Sequence, residues 1–370
     1  MGSAASVDVI FTGHAPVHYA CFRPLGDRLR ELKGVRVFVA GGLKSETDDG
    51  IKYDPAGLFG PPGVTNREIL TVEEIRERDF DVVFAANTKF LRPRSAGACV
   101  QIFHGISFRN KAIRAENMGA DYYFLTGPYM KRRFAECGLM PDGDPRGLPI
   151  GFMKTDRLIN GSLSRSALLS RHGLDESRPV ILYAPTGQRF NSLETMGEEV
   201  LRRLSATGEF QTILKPHDHA KESSVDWAPY VRGLKLPGVT VVDENVDVIP
   251  LLFLANLLIT DASSVSSEYS LLDRPMVFLD VPELLRKAEK KEGALDLETW
   301  GRRGGILVKE PESVLDAVRS SLAKPDLHAE IRRSMAADLF FNPGHATDHA
   351  VAWFRQRFGL TQEVRCSQAT

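Results

Sequence analysis

Short apolar runs alternate with amphipathic stretches along most of the chain. Residues 7–12 form the first run, which ends in Gly13-His14; a helical pattern follows over 21–32 and a second apolar run over 35–40. A helix over 70–78, strands over 81–85, 99–103 and 122–125, and a helix over 128–137 continue the rhythm. Short apolar runs closed by glycine and polar turns predict strands covered on both faces. Their alternation with helices predicts a parallel sheet.

The stretch 141–149 is rich in glycine, proline and aspartate and reads as a turn or linker, after which the pattern restarts. Strands are expected over 180–183, 211–214, 239–242, 257–260 and 276–279, with helices over 193–205, 248–255 and 264–272 and a mainly helical stretch over 311–358. The predicted class is α/β: two Rossmann-like domains facing a central cleft, with C-terminal helices. The expected division is 1–160, 161–350, and a helix end with a loose tail over 351–370, with the hinge near 155–175. A length of 370 residues suits two such domains.

Charge adds a local feature to this picture. Lys plus Arg number 47 and Asp plus Glu 48, a net charge of -1, and hydrophobic residues make up 43%. That balance excludes a disordered chain and argues against a nucleic-acid partner. It conceals a stretch over 89–114 holding Lys89, Arg92, Arg94, Arg109, Lys111 and Arg114 with no acid among them. Such a run is a solvated face or a seat for phosphates or anionic headgroups. The cysteines, Cys21, Cys99, Cys137 and Cys366, form no close pair, so neither a zinc ribbon nor a disulfide scaffold is expected. A reducing, cytoplasmic setting fits them. The opening residues do not follow the signal-peptide pattern, and the most apolar stretch, 248–259, is too short to span a bilayer. Contact with the surface of an anionic membrane stays open. The first strand is not followed by GxGxxG, and the chain has no GxxxxGK[ST]. The dinucleotide-oxidoreductase and P-loop readings therefore lose their support.

Four polar clusters fall at the carboxyl ends of predicted strands, where open α/β sheets bind ligands. His104 opens the first, His104-Gly105-Ile106-Ser107-Phe108-Arg109, and a neutral imidazole there can take a proton from a hydroxyl. A hydrogen-bonded structural histidine is the rival reading. The second is Lys215-Pro216-His217-Asp218-His219. It reads as a phosphate-facing group, a metal-binding pair of His217 and His219, or a turn. In the third, Thr260-Asp261-Ala262-Ser263-Ser264 runs from a strand into a helix bearing Glu268. Its serines can cap that helix, its N–H groups can hold phosphate oxygens, and Glu268 can reach ribose hydroxyls. A plain helix cap is the alternative. The fourth, Tyr183-Ala184-Pro185-Thr186-Gly187-Gln188-Arg189, offers Thr186 as a hydrogen-bonding group and Arg189 as a charge, or is an ordinary turn.

The order of these clusters resembles the CDP-glycerol glycerophosphotransferase family of teichoic-acid primases and polymerases. His104-Gly105-Ile106-Ser107-Phe108-Arg109 is similar to the family's His-Gly-Thr-Pro-Leu-Lys, Ala184-Pro185-Thr186 to its Ala-Pro-Thr, and Lys215-Pro216-His217 to its Arg-Pro-His. Ile259-Thr260-Asp261-Ala262-Ser263-Ser264, Glu268 and Leu272-Asp273-Arg274-Pro275 are similar to its Ile-Thr-Asp-Tyr-Ser-Ser run, acidic residue and Leu-x-x-Pro. Gly151-Phe152-Met153-Lys154-Thr155-Asp156 more loosely resembles Gly-Asn-Pro-Arg-x-Asp. Ala262 stands where the family has an aromatic, Glu268 where it has Asp, and Gly187 where it often has a bulky residue.

The resemblance implies a GT-B architecture and transfer of an alditol phosphate from a CDP-activated donor, releasing CMP. It implies His104 as acceptor-side base and His217 as stabiliser of the donor phosphates. Arg109, Thr186, Arg189, Lys215, Asp261, Ser263, Ser264 and Glu268 would contact substrate. No cofactor is required, and the implied partners are a CDP-alditol and a lipid-linked or glycan acceptor, with peripheral membrane contact. A GT-B glycosyltransferase using a nucleotide sugar and a non-catalytic lipid- or polymer-binding protein are the competing expectations.

Overall fold

The computed structural model describes residues 6–47, 50–60, 63–88, 90–105, 111–217, 225–292 and 295–360. The expected loose tail lies largely outside them. Two parallel sheets organise the chain. The first contains β1 (Val7–Gly13), β2 (Val35–Gly41), β3 (Ile69–Leu70), β4 (Val82–Ala85), β5 (Cys99–Gln101), β6 (Tyr122–Phe124) and β7 (Gly147–Leu148). Their spatial order is β7-β6-β5-β4-β1-β2-β3. The second contains β8 (Val180–Tyr183), β9 (Gln211–Leu214), β10 (Val239–Val241), β11 (Leu257–Thr260), β12 (Met276–Leu279) and β13 (Ile306–Val308). Its order is β10-β9-β8-β11-β12-β13.

Both sheets are doubly wound about their first strand. Val9 of β1 pairs with Val37 on one side and Val82 on the other. In the second sheet Ile181 of β8 pairs with Thr212 and Leu257. The order reverses between β1 and β4 and again between β8 and β11, which opens a crevice at the carboxyl ends of those strands. Every residue of β8, β9, β11 and β12 is buried, the signature of a sheet covered on both faces.

Six helices bear on the site: α1 (Pro16–Arg30), α2 (Pro128–Glu136), α3 (Val248–Leu254), α4 (Val265–Ser270), α5 (Ala329–Leu339) and α6 (Ala346–Phe358). Helix α1 starts at Pro16 rather than 21, because proline at the first helical position is pre-set in φ and needs no N–H partner. It docks through Phe22 onto Phe11 of β1, which also stacks on Phe84 of β4, with ring centroids 5.0 and 4.9 Å apart. Each such pair adds about 0.5–1.5 kcal/mol beyond its buried area. An antiparallel hairpin, Leu43–Thr47 with Gly50–Asp54, was not expected from the sequence, because its polar strands lack a buried face. The apolar stretch 248–259 divides between α3 and β11. No helix among the described residues is long and apolar enough to cross a membrane.

The chain crosses between the lobes twice, and the two crossings are knitted together. Asn342 Nδ2 donates to the carbonyls of Pro149 (2.8 Å) and Ile150 (3.1 Å). Asp156 accepts from the N–H groups of Ala346 (3.1 Å) and Thr347 (2.8 Å), capping α6 from the other crossing. Helix α6 then returns Ala350, Val351 and Phe354 to the core of the first lobe.

Candidate active site

A cleft of about 1480 Å³ lies between the carboxyl ends of the two sheets. His104, Thr186, Lys215, His217, Ser263, Ser264 and Glu268 all line it. Four stretches far apart in sequence thus meet in one place because each leaves the carboxyl end of a parallel strand.

The second-lobe wall is organised by Asp261, which is 1% exposed. Oδ1 accepts from the N–H groups of Thr186 (2.9 Å) and Ala262 (2.6 Å), and Oδ2 from Ser192 N–H (2.9 Å) and Oγ (2.9 Å). The carboxylate expected to touch substrate is instead spent on protein donors. It ties the loop after β8 to the end of β11. Thr260 Oγ1 donates to the Ala184 carbonyl at 2.7 Å and closes the same joint. Ser264 occupies the N-cap of α4 but makes no side-chain capping bond, so its hydroxyl does not follow the alternative reading of a plain helix cap. Both serines line the cleft. A helix of six residues has little macrodipole. Its Ser266 and Ser267 N–H groups already donate to the Ser263 and Ser264 carbonyls, at 3.4 and 3.1 Å.

Lys215, 9% exposed, donates to the carbonyls of Pro216 (2.9 Å) and Glu244 (2.7 Å), so its ammonium braces the turn that carries His217.

On the first-lobe wall, His104 follows β5 and is exposed to the cleft. Its Nδ1 lies 2.7 Å from the Ala86 carbonyl. A carbonyl only accepts, so Nδ1 carries the hydrogen, and in the neutral ring Nε2 is the proton acceptor. His18 of α1 packs edge-on against His104 with centroids 4.9 Å apart, and His14 against His18 at 4.5 Å. The backbone N–H of His14 donates to His18 Nδ1 at 3.1 Å, which places the hydrogen of neutral His18 on Nε2. Gly105 brings the two walls together: a Cβ there would lie 3.5 Å from Ser264 Oγ.

The floor is an ion pair between the lobes. Lys154 Nζ lies 2.9 Å from Glu268 Oε1, with side chains 6% and 4% exposed. Burial pulls the Lys154 pKa down, but Glu268 beside it outweighs that and leaves it raised, so the ammonium persists. Glu268 Oε2 is buried and finds no hydrogen-bond donor among the described residues. An acceptor left over at a cleft wall suits a ligand hydroxyl.

Arg189 is exposed, lies over the Phe190 ring at 5.4 Å and does not line the cleft. Arg109, Asp218 and His219 lie outside the described residues. No group of three or more His, Cys, Asp or Glu among the described residues is arranged to hold a metal ion. Sequence reading missed His18 and gave Lys154 no role. The usable signal for His18 was its spacing from His14, four residues on, across a strand-to-helix turn.

Two doubly wound sheets with facing switch points, and polar side chains from both in one cleft, define a GT-B architecture. The profile of the CDP-glycerol:poly(glycerophosphate) glycerophosphotransferase family matches residues 82–347, and the chain belongs to that family. Over 165 residues it is 31% identical to the teichoic acid glycerol-phosphate primase of Bacillus spizizenii, covering 43% of this chain and 37% of the primase. The match thus spans well under half of that relative. The wall teichoic acid polymerase TagF superposes with a TM-score of 0.66 at 16% identity, covering 95% of this chain and 89% of that one. A variant of it soaked with CDPG gives 0.65 at 15% identity, covering 96% and 89%. A UDP-N-acetylglucosamine 2-epimerase structure from Listeria monocytogenes gives 0.58 at 13%, covering 97% and 99%. Likeness at these identities concerns the fold, and an epimerase on the same fold underlines that function resides in the site.

Proposed function

We propose that this chain transfers an alditol phosphate from a CDP-activated donor, most simply glycerol phosphate from CDP-glycerol, to a hydroxyl of a lipid-linked or glycan acceptor, releasing CMP. The observation that carries this reading is the meeting of His104 with Ser263, Ser264 and His217 in one cleft, in a chain of this family. The acceptor hydroxyl gives its proton to His104 Nε2 as its oxygen attacks the distal phosphorus. The new P–O bond forms as the bond to CMP breaks. His217 and the donors around Ser263 and Ser264 take up the charge that develops on the phosphates. Thr186 lies on the same wall, held in place by Asp261. Glu268 Oε2 accepts from a hydroxyl of the donor, and Lys154 holds its carboxylate in place. A lipid-linked acceptor sets the reaction at the cytoplasmic face of a membrane.

The test is CMP release by purified protein given CDP-alditols with lipid-linked and soluble acceptors. His104→Ala should lower kcat/KM by roughly 10²–10⁴-fold. Silence across that panel would overturn the reading. Turnover of UDP- or GDP-sugars instead would move the enzyme to glycosyl transfer. Undiminished turnover in both His104→Ala and His217→Ala would remove the roles given to them.

A further inference from the structure

Gly187 follows Thr186 after β8 and lines the cleft. A Cβ placed on it would lie 2.5 Å from His217 Nδ1, 2.7 Å from Cγ and 3.1 Å from Cβ. The imidazole therefore stands where a side chain at 187 would be. Gly187 is outside the left-handed backbone region, so alanine there meets no dihedral strain. The cost of a methyl group at this site is collision with His217.

Both backbones are held, which decides what must yield. On the loop, Thr186 N–H is bound to Asp261 (2.9 Å), Ala184 N–H to the Ile259 carbonyl (2.9 Å), and Asn191 Nδ2 to the Gln188 carbonyl (2.7 Å). On the other side, Lys215 N–H is bound to the Tyr183 carbonyl (2.9 Å), and the Lys215 ammonium holds the Pro216 carbonyl (2.9 Å). Proline at 216 adds its fixed φ. The two ring contacts are relieved by the side-chain torsions of His217, which swing the ring away from the loop, while its Cβ at 3.1 Å needs to give by only a few tenths of an ångström.

We infer that Gly187 is a positioning residue: its missing side chain sets where the His217 ring stands against the donor phosphates. This rests on the reading of His217 as the group that meets those phosphates. A Cβ at 187 leaves the fold and the rest of the donor wall in place and moves one ring.

The experiment is a double-mutant cycle of Gly187→Ala and His217→Ala, read as CMP release from CDP-glycerol, with melting curves and the His217 ring resonances followed by NMR. Gly187→Ala should melt like the parent, shift the His217 Cε1–H resonance, and lower kcat by roughly 10–100-fold with a smaller change in KM, the penalty of a misplaced reacting group. In the His217→Ala background it should have little further effect. The inference is overturned if Gly187→Ala keeps the parent kcat, leaves the resonance unmoved, or loses the same factor with His217 absent. Parental turnover by His217→Ala alone would instead sink the role of His217, and this inference with it.

Discussion

The two walls of the cleft are built by different means. The second-lobe wall hangs on hydrogen bonds to one buried carboxylate, Asp261, which fixes the Thr186 loop against the strand that leads to the serines. The first-lobe wall is a stack of rings, His104 on His18 and His18 on His14, with one backbone hydrogen bond to His104 and one to His18. Directional bonds set positions closely, while ring contacts set a plane and tolerate sliding. On the proposed reading the bonded wall meets the donor phosphates and the ring wall the acceptor hydroxyl.

The ion pair under both walls gives the largest expected effect on stability. Lys154→Met strands a buried carboxylate and should cost about 3–5 kcal/mol in urea unfolding. Adding Glu268→Leu should restore most of that stability without restoring turnover; turnover that returns with the fold would show the pair to be purely structural. Asp261→Asn comes next. Its amide group meets N–H donors at one side, so it should lose about 1–3 kcal/mol of stability together with activity. On the ring wall, His18→Phe keeps the packing but removes the acceptor of the His14 N–H; it should cost about 1 kcal/mol and lower kcat about 10-fold, the penalty of a slightly misplaced base. If Asp261→Asn cost less stability than His18→Phe, the contrast between the walls would fail.

The smallest effect belongs to the outer brace. Asp338 of α5 meets the Arg132 guanidinium of α2 at 2.6 and 2.7 Å and accepts from Trp300 Nε1 at 2.8 Å. Burial alone would raise its pKa, but Arg132 and Trp300 more than offset that and hold it below the ordinary value. A carboxyl depressed in the folded state stabilises above its unfolded pKa, about 3.9, and that contribution fades as pH falls through the lower folded value. Arg132 is half exposed, so the gain is below about 1 kcal/mol. Asp338→Asn should therefore lose less stability than the parent on acidification, as measured by denaturation at a series of acid pH values. An equal loss would remove the brace.

The strands were legible because a covered parallel strand is a short run of apolar residues, as at Val180–Tyr183 and Leu257–Thr260. The clusters after them were legible for the same reason, since ligand-facing residues follow such runs. Partnerships across the fold were not. Nothing local to Asp261 says that its oxygens meet Thr186 and Ser192, nor that Lys154 reaches Glu268 over 114 positions. His18 falls before the helix expected over 21–32, and the structure places it in the first turn of α1. Arg189, promising by charge and place in a loop, does not line the cleft, and its guanidinium lies over the Phe190 ring.

The paired crossings have a mechanical consequence. A body joined to another by one strand can twist as well as open; joined by two strands bound side by side, it behaves like a door on two pins. Pro149, Ile150 and Asp156 on one pin hold Asn342, Ala346 and Thr347 on the other. Such a joint resists twist between the lobes more than it resists opening about that line.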